Sequence, residues 1–285
     1  MLISIALGLT SLSTNAELLA DYLRKDTPLS GKIWDLRSES FVEPEALLDS
    51  LANGTWLLLG ETHENLDHHR IQSRFIRYLD KQNRLGALAL EMADDSQQIV
   101  LDSAHSGKTE ISVQALNWNP GWPWEWYQEP VTEGIRRATR VLGADLTRDA
   151  KMSAYRNEQL EVPADSGYTE FMLDLLYESH CGQMPKSQLG NMLRVQYARD
   201  LSMLEAMRAN TEANRVNLLL AGTVHTRYDL GIPYWNKTLE SKTLLMIAAN
   251  EDSTPQAYYP QSYSQEPVAD YILFTPATEY ESGCQ

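Results

Sequence analysis

The chain is short of several things, and each shortage closes a class of function. It has two cysteines in 285 residues, Cys181 and Cys284, and neither stands in a C-x-x-C pair. Zinc-finger and dithiol redox patterns are therefore excluded. In an oxidising compartment the two would be able to pair and tie down the C-terminus; in the cytosol they would be buried or free thiols. Basic residues are also scarce, with 24 Lys plus Arg against 39 Asp plus Glu and a net charge of −15. No dense Lys/Arg run compensates, so a nucleic-acid partner is excluded for want of a phosphate-neutralising footprint. Long apolar runs are missing as well. Residues 2–9 are apolar and are followed by small and polar residues up to Ala16, which is too short to span a membrane. The pattern matches a secretory h-region and cleavage site, with the basic n-region lacking. We therefore expect residues 1–16 to be a signal peptide and the protein to be exported, to the periplasm or cell envelope. The alternative is an N-terminal helix packed on the body. Membrane association is not expected beyond that segment. With neither repeats nor an interdomain linker, residues 17–285 are expected to form one domain, and 43% hydrophobic residues are ample for its core.

What is present is a series of short, continuous apolar runs at residues 56–60, 86–92, 140–146, 216–222, 244–249 and 271–275. Unbroken runs without alternation suit strands buried on both faces. Helical patterns separate them, at 67–82 (capped by Asn65 or Asp67), 169–180 and 187–210. The reading is an α/β fold with a mostly parallel sheet flanked by helices. Residues 251–267 read as an exposed excursion between the last two strands.

Two strands end in the same pattern, Gly60-Glu61-Thr62-His63 and Gly222-Thr223-Val224-His225. In each, a glycine permits a tight turn and a histidine follows three residues later. Parallel strands present their C-terminal ends on one edge, where ligands of open α/β sheets bind. His63 and His225 are thus expected to converge there with Glu91, which ends a third strand, and with Glu61. Either histidine alone also fits a helix cap or a satisfied core residue. His68 and His69 follow on the first helix, and as neighbours they cannot both face one centre. Gln196 and Asp200, one turn apart on the long helix with Arg199 between them, suit bracing of the histidines or a solvated face. Arg227 and Asp229 lie close to His225. Residues 117–127 carry four of the seven tryptophans and Tyr127; such a loop either walls a flat ligand or seals onto the core.

At these residues the chain resembles the ChaN-like haem-binding uptake family, within the wider group that includes Tiki and TraB proteins. The matching stretches include Gly31 to Asp35, Leu58 to His63 with His68-His69, Ala89 to Met92, Gly121-Trp122-Pro123-Trp124 with Tyr127, and His180-Cys181-Gly182 with Pro185. Gln196 with Arg199-Asp200, and Gly222 to Pro233, complete the match, in order from about residue 28 to 240. Two departures stand out. The family often has Asp-Asn-Pro after the first histidine, where this chain has Glu64-Asn65-Leu66. Many members are lipoproteins, and no cysteine lies near residue 16, so a lipid anchor is not expected.

The resemblance implies haem as ligand and a role in iron acquisition. Tyrosinate suits ferric iron, which makes Tyr228, beside Arg227 and near His225, the first axial expectation and Tyr127 the second. Arg227, His68 or His69 would meet the propionates. A second copy covering the open haem face would make a homodimer. The rival expectation is a Tiki-like metal-dependent hydrolase. There His63, Glu91 and His225, with Glu61, would hold a divalent ion such as zinc or manganese.

Overall fold

The computed structural model describes residues 18–19, 27–236 and 238–277. The expected signal segment, residues 1–16, and Cys284 lie outside the described residues. In chain order the elements are β1 (Ile33–Asp35), β2 (Ser40–Val42), α1 (Pro44–Ser50), β3 (Trp56–Glu61), α2 (Leu66–Lys81), β4 (Leu85–Asp94), α3 (Gln98–His105), α4 (Trp124–Arg137), β5 (Arg140–Asp145), α5 (Arg148–Arg156), α6 (Ser166–Ser179), α7 (Lys186–Ala209), β6 (Val216–Gly222), α8 (Thr223–Thr226), α9 (Ile232–Trp235), β7 (Ser241–Ala249) and β8 (Tyr271–Pro276). Among the described residues no helix is long and apolar enough to cross a membrane.

All eight strands join one sheet in the order β2-β1-β8-β7-β3-β6-β4-β5. β1 runs antiparallel to β2 and β8, and every other pairing is parallel. The apolar runs are continuous because both faces are covered. Leu57 and Leu59 of β3 point into the core beneath α2, while Trp56 and Leu58 point into the core beneath α7, against Met203, Leu204 and Met207. On α2, Ile71, Phe75, Ile76 and Leu79 are fully buried. Each contributes about 1.5–3 kcal/mol by leaving water. The side chain of Asn65 accepts the N–H of Asp67 and so caps the helix.

Six strands coincide with the apolar runs. β1 and β2 do not, because three-residue strands carry too little pattern to be read. α6 starts at Ser166, earlier than its apolar pattern, because Asp165 accepts the N–H of Tyr168 and nucleates the first turn. The tryptophan segment also differs from a loop. Its proline and glycine bar only the approach, and from Trp124 onward it is helix α4, with Tyr127 inside it.

Register carries the fold into the site. Glu61 pairs with Gly222 across β3 and β6, and Leu90 of β4 pairs with Leu220 of β6. Glu61, Glu91 and Gly222 therefore lie close to one level at the C-terminal edge. β4 slips register against β5 between Leu90 and Asp94, and such an irregularity re-aims the side chains it contains, here including Glu91.

Candidate functional site

The two G-x-x-H motifs pack against each other. A Cβ on Gly222 would stand 2.8 Å from Nε2 of His63, and one on Gly60 would stand 2.3 Å from Oγ1 of Thr226. Both glycines are required for this close approach rather than for a turn; Gly222 has φ −61 and ψ 151, which any residue adopts.

His63 is the accessible imidazole, with its side chain one-third exposed. Its Nδ1 lies 2.8 Å from Oε1 of Glu61. Glu61 is buried and held on all sides: the Tyr127 hydroxyl donates to Oε1 at 2.8 Å, Gln72 Nε2 donates to Oε2, and His69 Nε2 is 3.4 Å from Oε1. Burial pushes the Glu61 carboxyl up, but the His63 and His69 side chains beside it outweigh this and hold it well below the usual range. Burial lowers His63, but Glu91, Glu61 and Glu64 reverse this and raise it to about 9.

His225 is braced the same way and lies deeper. Its Nδ1 is 2.6 Å from Oδ1 of Asp200, whose Oδ2 accepts the indole N–H of Trp235 at 3.0 Å. Burial raises the Asp200 carboxyl despite these partners. Both histidines turn Nε2 toward Oε1 of Glu91, His63 at 3.9 Å and His225 at 3.5 Å. Glu91 accepts the Gly222 N–H at 2.6 Å and Arg199 at 2.6 Å. Burial would raise its carboxyl, but the charges of His225, Arg199 and His63 and the Gly222 N–H depress it to about 2. Arg199 is in turn clamped by Asp145, with Nη2 to Oδ2 at 2.9 Å, and Asp145 also pairs with Lys151.

These groups floor an open cavity of about 410 Å³. Glu61, His63, Glu64, Glu91, Arg199 and His225 supply the polar side, and Met172, Leu175, Leu176 and Val224 supply an apolar wall, mostly from α6. Gln196 lines the same cavity. His63, Glu91, His225 and Glu61 therefore converge as the strand-end argument expects, with Asp200 and Gln196 beside them.

Other expected residues do not reach the cavity. Tyr228 turns away: its backbone N–H bonds the carbonyl of Val268 and its hydroxyl donates to Asp270. Burial, then the Asp270 charge, raises that phenol, the reverse of what a tyrosinate ligand needs. Tyr127 is fully buried beneath Glu61, and burial and Glu61 raise its phenol too. Arg227 forks onto Asp229 at 2.8 and 2.6 Å and onto the Gln261 carbonyl. Neither Arg227 nor Asp229 lines the cavity. His68 accepts the Thr62 N–H on Nδ1 and faces Thr275 with Nε2; burial lowers it to about 3, so it stays neutral and structural. His69 is buried against the Tyr127 ring, 4.4 Å between centroids. The tryptophans seal the core: Trp118 packs edge-on against Trp124, and Trp122 meets the His63 ring edge-on at 4.8 Å.

The four side chains expected of a metal-dependent hydrolase come together but not in the arrangement of a metal site. Among the described residues no set of three or more His, Cys, Asp or Glu is arranged to hold a metal ion; the charge of Glu91 is already taken by Arg199. Sequence reading missed Asp145, Lys151, Trp235 and the α6 wall. Asp145 ends β5 as Glu91 nears the end of β4, so the strand-end argument extends to it. Met172, Leu175, Leu176 and Ser179 show helical spacing that was legible as a face but not as a cavity wall.

A family model described as haem-binding uptake, Tiki superfamily, ChaN, matches residues 47–235. Among solved structures, ChaN of Campylobacter jejuni with cofacially bound haem is similar at 25% identity and a TM-score of 0.71, over 86% of this chain and 97% of that one. A Bacillus cereus protein (12% identity, TM-score 0.44, 72% of this chain and 68% of that one) and an erythromycin esterase in its open conformation (12%, 0.46, 71% and 72%) are more distant. No curated protein sequence matches. With two-thirds of its length under the family model, this chain belongs to the haem-binding uptake family of the Tiki superfamily, ChaN.

Proposed function

We propose that this protein captures haem at the strand-end cavity for haem or iron acquisition, with His63 as the side chain that meets the iron. The observation that carries this is the Glu61–His63 pair. Glu61 takes the Nδ1 side of the ring, so Nε2, on the Glu91 side of the same cavity, is the nitrogen that would meet the iron, which would displace the proton that the two carboxylates favour there. A carboxylate behind a ligating imidazole fixes its orientation and raises its basicity, and histidine is a regular protein ligand of haem iron. When bound, haem would supply the iron centre and a broad apolar face. The chain supplies the braced imidazole, the apolar wall and the buried carboxylates.

Export to the periplasm or cell envelope belongs to the same proposal, as does a second copy of the chain covering the outer haem face. The test is haemin titration of the purified protein, followed in the visible spectrum. A shifted Soret band saturating near one haem per chain supports the reading. A spectrum identical to free haemin, together with stoichiometric zinc or manganese in the preparation, would replace it with the metal-dependent hydrolase.

A further inference from the structure

Behind His63, oxidisable side chains touch one another in a continuous series. The Trp122 ring meets the His63 imidazole edge-on, 4.8 Å between centroids. Trp122 meets Tyr127 at 5.6 Å, Tyr127 meets Trp118 at 6.5 Å, and Trp118 meets Trp124 at 5.1 Å. Trp118 and Tyr127 are buried, whereas Trp122 and Trp124 are half-buried. The series therefore runs from the imidazole through the core and out to solvent at Trp124. Both buried rings have their polar atom engaged. Trp118 donates its indole N–H to the Trp122 carbonyl at 2.8 Å, and Tyr127 donates its hydroxyl to Oε1 of Glu61 at 2.8 Å. Leucine or phenylalanine would seal a core without a polar atom to satisfy. Indole and phenol, unlike those side chains, yield single electrons, and rings in contact pass them on.

We propose that Trp122, Tyr127, Trp118 and Trp124 form an electron relay: when the complex meets hydrogen peroxide, they draw oxidising equivalents away from an iron porphyrin held at His63 and deliver them to a small one-electron donor, a phenol or an ene-diol, at the surface. The inference rests on the haem reading above. Peroxide attacks an iron porphyrin left open to solvent, and oxidising equivalents that stay there destroy the macrocycle and the imidazole beside it. In the balanced step, peroxide takes up two electrons and two protons, its O–O bond breaks, and two waters form. Each electron comes from one ring of the relay. Tyr127 passes its hydroxyl proton along the hydrogen bond to Glu61, and a half-buried tryptophan releases its indole proton to water. Two donor molecules then return one electron and one proton each, which restores the rings and leaves two oxidised donor radicals in solution.

The test uses the whole protein loaded with haemin, mixed with one equivalent of hydrogen peroxide and frozen within a second for electron paramagnetic resonance. Wild type is expected to show an organic radical signal that narrows when the protein carries ring-deuterated tryptophan. Trp122→Phe keeps an aromatic edge on His63 but removes the first oxidisable ring. It is expected to lose most of the signal, and its Soret band should bleach severalfold faster under repeated additions of peroxide. Trp124→Phe should bind haemin as wild type does and consume ascorbate severalfold more slowly in the presence of peroxide. The labelled wild type needs no variant, so it decides the matter even where Trp122→Phe fails to fold. Haemin-loaded wild type with no protein radical, or with a radical indifferent to the tryptophan label, overturns the relay but leaves the haem reading standing. So does equal bleaching of wild type and folded Trp122→Phe. Failure to bind haemin at all overturns both.

Discussion

Replacing Gly222 with alanine separates the site from the fold. The backbone there is extended, with φ −61 and ψ 151, so alanine meets no conformational penalty and gains about 0.4–1 kcal/mol from a stiffer unfolded chain. The added methyl, however, stands 2.8 Å from Nε2 and 3.0 Å from Cε1 of His63, and 3.5 Å from Oε2 of Glu91. Overpacking of this kind costs about 1–3 kcal/mol when the neighbours cannot move. His63 can move, because its side chain is one-third exposed, so the ring is displaced and most of that cost is relieved. Global stability in urea should therefore change by no more than about 2 kcal/mol, in either direction. Haemin affinity should fall at least tenfold, because displacement takes Nε2 off its line and strains the Glu61 hydrogen bond. Gly60→Ala makes the contrast: its methyl meets buried Thr226 and Leu245 at 2.3 and 2.7 Å, and it should destabilise the fold itself. Wild-type haem affinity and spectrum in Gly222→Ala would refute the placement of His63 at the ligand.

Tyr228→Phe should leave haemin binding unchanged and cost about 1.5–3 kcal/mol in denaturant, since it removes a hydrogen bond to a charged carboxylate, Asp270. Arg199→Met should cost about 3–5 kcal/mol, because it strands the buried Glu91 and Asp145 charges; a cost under about 1 kcal/mol in urea would contradict the ion network. His63, raised from 6.5 to about 9 in the fold, stabilises the protein fully below its unfolded value, and that contribution is lost as pH rises through about 9. The stability difference between wild type and His63→Ala should therefore shrink between pH 6.5 and 9 in pH-resolved urea titrations. Glu91, depressed from 4.5 to about 2, stabilises the protein above its unfolded value, and its contribution is lost as pH falls through about 2. Acid unfolding followed by circular dichroism should be shallower in Glu91→Gln.

The sheet was legible because burial on both faces leaves a plain mark: Trp56 to Leu59 is unbroken apolar sequence since alternate residues enter opposite cores. The convergence of His63, Glu91 and His225 followed from parallel topology alone. Tyr228 was misread because nearness in sequence was taken for nearness in space. Beyond α8, which contains His225, Tyr228 bonds Val268 through its backbone N–H and Asp270 through its hydroxyl. The glycines of the two motifs were rightly singled out, but for the wrong reason. Close approach of one motif to the other is a tertiary fact, and spacing within either motif does not contain it. His68 and His69 could not be told apart from His63 by pattern, because the difference among them is burial: His68 is 0% exposed and His69 1%.

The most direct test is the visible spectrum of haemin added to three proteins, wild type, His63→Ala and Tyr228→Phe, at equal concentration. The account predicts one spectrum shared by wild type and Tyr228→Phe, and in His63→Ala the loss of its histidine-ligated features with much weaker binding. A wild-type spectrum retained in His63→Ala but abolished in Tyr228→Phe would contradict it and return the iron to the tyrosine.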